Sequence, residues 1–152
     1  MRNIFDLKKF PEFLPEYVKL RNEYCDLLLT QPVVMAESIQ WLKTTTAEIR
    51  LIEESLQVLG VVLLYVDREG EVALFTRQSN KGIGTNLLEI VDDLAYKLQL
   101  PSIWAWVREN NNKAAYIFEK CGYIYSGKEV REYNDETIYG VRYTKIFEKV
   151  HL

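Results

Sequence analysis

The chain has 152 residues, with 19 Lys or Arg against 22 Asp or Glu and a formal net charge of -3. That length suits one domain of roughly 100–150 residues with a core of its own. An acidic balance, with pI near 5.3, lacks the clustered positive charge that sequence-independent nucleic-acid binding needs, and the charge-free apolar run over residues 58–66 is far short of the roughly 18–20 residues that span a bilayer.

No nucleic-acid partner and no membrane are therefore expected. Two cysteines, Cys25 and Cys121, make neither a disulfide framework nor a zinc set, so no metal site is expected. Arg2 and Asp6 interrupt the apolar stretch that an export signal would need, which points to reduced thiols in the cytoplasm. The single histidine, His151, is next to last, so no mechanism built on a central His–Asp pair is expected.

In chain order, Pro15 suits the first turn of a helix, where its missing N–H costs nothing. Leu14, Tyr17, Val18, Tyr24, Cys25 and Leu28 then recur at helical spacing. Pro32 interrupts, Met35, Ile39 and Leu42 predict a shorter helix up to Lys43, and Thr44-Thr45-Thr46 makes a linker. Residues 48–53 and 56–66 read as strands, the second rich in Val and Leu. Asp67-Arg68-Glu69-Gly70 is a turn, with Gly70 free to take positive φ, and residues 71–77 return antiparallel.

A long helix is predicted over 82–98, with the stripe Ile83, Leu87, Val91, Leu94, Ala95 and Leu98. Pro101 stops it, and 102–107 is a short strand. Residues 111–120 form a further helix, ended by Gly122 in the left-handed position. Residues 123–130 and 137–147 close the chain as a hairpin around Asn134-Asp135. Early hairpins imply antiparallel pairing, and the strand–helix–strand unit over 71–107 implies one parallel pair. The fold class is α/β, more fully an α+β mixed sheet, with helices on both faces.

The segment Gln78-Ser79-Asn80-Lys81-Gly82-Ile83-Gly84-Thr85 follows a strand and opens a helix. The first N–H groups of a helix lack internal partners, and the helix dipole adds partial positive charge, so an anion is favoured there. An ordinary glycine turn fits the same residues. A Walker loop would need Gly-Lys-Ser/Thr after the second glycine, where Thr85-Asn86 stands. A dinucleotide fingerprint would need a third glycine where Leu87 stands. Both are rejected.

Taken with Asn111-Asn112-Lys113-Ala114-Ala115-Tyr116-Ile117-Phe118-Glu119-Lys120-Cys121-Gly122-Tyr123, this segment resembles the GCN5-related N-acetyltransferase (GNAT) superfamily over residues 56–147. The resemblance implies a single domain over 1–152, with 1–46 on the acceptor side and 47–152 binding the cofactor. It implies acetyl-CoA, acetyl transfer to a primary amine of a small molecule by direct attack, and a central mixed sheet. A homodimer is compatible with it. Amides of Asn80, Lys81, Gly82, Ile83, Gly84 and Thr85 would take the CoA pyrophosphate, and Phe75, Thr76 and Arg77 would run beside the pantetheine. Asn111 matches the Asn that touches the cofactor arm, and Ala114 and Phe118 follow it on the same helix.

Two positions depart from the family pattern. Ser79 stands where Gln or Arg is usual, with Arg77 and Gln78 upstream as substitutes. Phe118 stands where a Tyr often protonates the departing thiolate, and Tyr116, two helical steps away, points elsewhere. A thiolate of pKa near 8.5 departs tolerably without an acid, so a slower enzyme, or one using water or another Tyr, is expected. A CoA-binding module without turnover, or an enzyme acting on protein N-termini or lysines, are the rival readings.

For the base, Glu53, Glu54 and Glu109 are candidates, with Glu109 preferred because the strand after Ser102 splays toward the acetyl group in this family. Glu71 lies near its turn and is set aside. Tyr96, Tyr116, Tyr123, Tyr125, Tyr133, Tyr139 and Tyr143 could wall an acceptor pocket or simply fill strands and core. Leu20-Arg21-Asn22 with Trp41-Leu42 is similar to a subset acetylating nucleotide-linked amino sugars, although Ser38 replaces that subset's His. Arg21 there could pair with a phosphate or carboxylate. Cys121, on the buried stripe with no His nearby, reads as packing.

Overall fold

In a computed structural model, which describes residues 2–25, 31–77 and 82–147, seven strands form one sheet in the order β1-β2-β3-β4-β5-β7-β6. The strands are β1 (Asn3–Asp6), β2 (Glu48–Glu54), β3 (Gln57–Tyr65), β4 (Glu71–Thr76), β5 (Ser102–Arg108), β6 (Ile124–Tyr133) and β7 (Glu136–Ile146). The helices are α1 (Leu14–Glu23), α2 (Met35–Thr44), α3 (Ile83–Lys97) and α4 (Asn112–Lys120). Only β4 and β5 pair in parallel; every other neighbour is antiparallel.

Two sequence expectations need correction. The first helix ends at Glu23, with Tyr24 at φ -115, so it does not carry through to Cys25; Leu28 lies outside the described residues. The edge strand β1 is not marked in the sequence, because four residues give no alternation to read. It is held by pairing from Asn3↔Glu53 to Asp6↔Arg50 and by Asn3 Nδ2 donating to Glu53 at 3.0 Å.

The sheet has a core on each face. Strand alternation sends Val72, Ile103, Ala105 and Val107 to one face, where α3 and α4 contribute Ile83, Leu87, Val91 and Phe118. The other face carries Ile49, Leu51, Val61, Leu63 and Phe75 against Leu14, Tyr17 and Leu20 of α1 and Leu42 of α2. Gly60 fixes how closely α3 approaches. A Cβ there would lie 2.8 Å from Ile83 and 3.0 Å from Leu87, so glycine lets the first turn of α3 sit directly on β3.

The hairpin of β6 and β7 closes through Asn134 and Asp135 at φ 51 and 62, a two-residue turn whose handedness matches the strand twist. Within β7, Gly140 faces Trp106 of β5, and a Cβ would fall 2.3 Å from the indole. Gly140→Ala should therefore displace Trp106 and cost about 1–3 kcal/mol of stability. Denaturant unfolding together with near-ultraviolet dichroism of the tryptophans reads both effects.

Candidate active site

The parallel seam is where the sheet opens. β4 and β5 share the single register pair Glu71↔Trp104, and Trp104 N donates to Gly70 O at 3.1 Å. Gly70 makes that contact possible. Its φ is +81, and a Cβ would stand 2.9 Å from Ser102 O. Beyond this point the strands part. Arg77 N donates to Leu59 O on the β3 side, so by ladder alternation the N–H and C=O groups of Leu74 and Thr76 face the gap.

A cavity of about 510 Å³ fills the fork. Its lining joins Leu74, Phe75, Thr76 and Arg77 of the β4 segment to Trp106, Val107 and Arg108 of β5. On one side it reaches Gly84, Asn111, Lys113, Ala114, Ile117 and Phe118; on the other it reaches Arg21, Tyr24, Tyr65, Arg68, Glu71 and Arg131. It thus runs through the sheet from the α3–α4 face to the α1 face.

The N-terminus of α3 adjoins the first side. Gly82 is its N-cap at φ 70, with no side chain capping the first amides. Gly84 is buried and lies against Ile117 of α4, at 3.3 Å from a hypothetical Cβ. Main-chain donors and a close backbone approach suit a diphosphate, and the unpaired edge of β4 suits an amide-bearing arm such as pantetheine. Ile83 is buried in the core, while Thr85 stays partly accessible; neither lines the cavity. Asn80, Lys81, Ser79 and Gln78 lie outside the described residues. Arg77 Nε donates to Val58 O at 3.0 Å. Asn111 lines the cavity and also caps α4, accepting from Ala114 N at 3.1 Å.

Phe118 lines the cavity and stacks on Tyr143 with ring centroids 6.3 Å apart, leaving no hydroxyl at that place. Tyr116 is 66% exposed. None of the seven later tyrosines lines either of the cavities described here; the tyrosines that do are Tyr17, Tyr24 and Tyr65, from the first half of the chain. Tyr24 stacks over Phe75, and its hydroxyl donates to Arg77 O at 3.5 Å. Burial pushes the Tyr65 hydroxyl above its usual range, so it stays neutral.

The carboxylates are distributed differently from the sequence reading. Glu109 is exposed at the end of β5 and does not line the cavity. The last residues of β5, Trp106 to Arg108, stay in the lining, and Glu109, one step beyond, falls outside it. Glu53 is buried as a structural anchor, accepting from Leu56 N at 2.6 Å and from Asn3 Nδ2, and neither it nor Glu54 lines the cavity. The carboxylate in the lining is Glu71. Being first in β4 puts it beside the turn, yet the register with Trp104 sets it at the base of the fork. Arg131 holds it at 3.0 Å and Arg68 at 3.7 Å. Arg131 also lies over Trp106, whose Nε1 donates to Glu129 O at 2.8 Å.

Cys121 is half-buried near Asp92, and burial first, then that carboxylate, raises its thiol above the usual range. This suits packing rather than nucleophilic attack. Asp92 itself is tied to Lys145, which also donates to Cys121 O at 2.9 Å.

Residues 11–123 match the model of the acetyltransferase (GNAT) family. The chain belongs to the GNAT family. Membership makes it an acetyl-CoA-dependent N-acetyltransferase. Solved structures share the GNAT fold along nearly the whole chain. A ribosomal-protein-alanine N-acetyltransferase from Brucella melitensis superposes with TM-score 0.82 at 16% identity, covering 95% of this chain and 99% of its own. An N-acetyltransferase from Staphylococcus aureus Mu50 gives 0.81 at 19% identity, covering 96% and 98%. A spermidine N-acetyltransferase from Vibrio cholerae, in complex with CoA and spermine, gives 0.76 at 17% identity, covering 95% of each. No curated protein matches the sequence. None of these findings favours the amino-sugar subset, and Ser38, at the place of that subset's His, turns its hydroxyl back to Val34 O at 2.9 Å. No described helix is long and apolar enough to cross a membrane.

Proposed function

We propose that this GNAT enzyme acetylates a primary amine of a small molecule by direct attack in the β4–β5 fork. The carrying observation is the continuous cavity through the sheet, with helix N-terminus and free strand edge at one end and Glu71 toward the other. Acetyl-CoA enters from the α3–α4 side. Its diphosphate meets the amides of the Gly82–Thr85 turn, and its arm pairs with Leu74 and Thr76, where a main-chain N–H polarises the thioester carbonyl. Asn111, Ala114 and Phe118 wall the arm.

The amine enters from the α1 side, so residues 1–46 serve acceptor binding. Attack needs the neutral amine. Glu71, directly or through one water, takes its proton, in place of Glu109. Tyr24, whose hydroxyl donates to Arg77 O just past the end of β4, supplies the proton to the departing thiolate that Phe118 cannot. Holding thioester and amine together in the fork supplies a further part of the acceleration.

Thiol release from acetyl-CoA, followed across a panel of amines with cofactor binding measured separately, tests this reading. Turnover on a small amine supports it. Tight CoA binding with no turnover on any amine or peptide would favour a regulatory module, and turnover confined to peptides would favour a protein acetyltransferase.

A further inference from the structure

We infer that the acceptor carries an anionic group, a carboxylate or a phosphoryl, which Arg21 and Arg68 receive at the α1 end of the cavity while its amine points to Glu71. This rests on the reading that acetyl-CoA occupies the opposite end. Although the chain is acidic overall, among the described residues the cavity lining holds Arg21, Arg68, Arg77, Arg108, Lys113 and Arg131 against the carboxylate of Glu71.

Two of those cations belong elsewhere. Lys113 lies on α4, on the cofactor side, and Arg77 is bound to the Val58 carbonyl. Arg108 lies in the β5 wall of the fork, and Arg21, Arg68 and Arg131 gather at the acceptor end. Arg131 is satisfied by Glu71 and by Glu129 at 3.4 Å. Arg68 shares the same Glu71 at a looser 3.7 Å, lies over the Tyr65 ring at 4.2 Å and keeps a side chain 59% exposed. Glu71 is thus shared between two guanidiniums, Arg131 draws further on Glu129, and Arg68 is left with the looser contact.

Arg21 sharpens the assignment. Its Nη1 is buried with no hydrogen-bond acceptor among the described residues. Buried polar groups are nearly always paired, and a charged donor left without an acceptor is costly, so the unpaired N–H marks a place for a ligand oxygen. Arg21 also lies in the wall between the fork and a second cavity of about 250 Å³, lined further by Tyr17, Ser38, Trp41, Tyr65 and Arg68. Among the described residues the carboxylate lining that recess is Glu37, an exposed residue. The recess has room for a few heavy atoms, and two guanidiniums in its lining match the oxygens of a carboxylate or phosphoryl group. A polyamine placed there would meet like charge.

The test titrates the protein, with and without saturating CoA, with matched amines followed by tryptophan fluorescence: glycine against glycinamide, phosphoethanolamine against ethanolamine, and spermidine. The anionic member of at least one pair should bind at least tenfold more tightly than its neutral partner and than spermidine, and the pair that responds tells carboxylate from phosphoryl. Arg21→Gln should remove that preference while CoA affinity stays within about twofold, and Arg21→Lys should retain part of it. Equal binding of both members of each pair, absence of binding by all, tighter binding of spermidine, or a preference that survives Arg21→Gln would overturn the inference. The separate CoA titration reads the cofactor assignment on its own, since the amine preference can be measured without CoA.

Discussion

Glu71→Gln should lower kcat by about 10²- to 10⁴-fold, the range general-base help supplies, while CoA affinity is unchanged. The amide keeps the side chain's size and can still accept a hydrogen bond from Arg131, but it cannot take a proton. The pH dependence separates this role from a merely structural one. Below the pKa of an ordinary amine, about 10 as for lysine, the acceptor arrives protonated and needs a base. Above it the amine arrives neutral and the need lapses. The ratio of wild-type to variant rate should therefore be largest near pH 7 and shrink as pH rises toward 10. If Glu71 served only to place Arg131 and Arg68, the ratio would be flat across that range, and the assignment as base would fail.

Gly84→Glu should weaken CoA binding by about a thousandfold. The residue faces the cavity at the first turn of α3, where the diphosphate is assigned. A carboxylate about 4 Å from a phosphate charge at an effective dielectric near 20 is repelled by about 4 kcal/mol, close to three decades in affinity. Packing adds a smaller penalty. Even a Cβ presses on the Ile117 methyl at 3.3 Å, so the helix pair must give by a few tenths of an ångström. Gly84→Ala carries that steric part without the charge and should lose far less affinity. Thermal unfolding of both variants separates loss of the site from loss of the fold. Equal CoA affinity in wild type and Gly84→Glu would mean that the diphosphate sits elsewhere.

Much of the architecture was legible because it depends on local chemistry. Gly82 after a strand, the Ile83 to Ala95 stripe, Gly122 and Asn134-Asp135 each state their conformation through φ preference or spacing. What pairs with what across the sheet is not local. The hydrophobic pattern announces β4 and β5 as strands, but not that they touch only at Glu71 and Trp104. That single contact moves Glu71 from a turn-side position into the cavity and leaves Glu109 outside it. The arginines show the same limit. Arg21, which the sequence already offered as a partner for a phosphate or carboxylate, is far in sequence from Arg68 and Arg131; only the folded sheet gathers the three. The tyrosines mislead for a related reason. Strand propensity accounts for Tyr125, Tyr133, Tyr139 and Tyr143, and Tyr96 and Tyr116 sit on helices, whereas Tyr17, Tyr24 and Tyr65 reach the cavities from α1, its C-cap and β3. β1 was missed because an edge strand of four residues is stabilised by its partner and by Glu53, which acts from fifty residues away.

A structure determined with CoA bound tests the central claim most directly. The account predicts diphosphate oxygens within hydrogen-bonding distance of the amides from Gly82 to Thr85, pantetheine amides paired with Leu74 and Thr76, and the sulfur in the gap facing Glu71. CoA bound outside the fork, or β4 and β5 closed together with no cofactor between them, would contradict it.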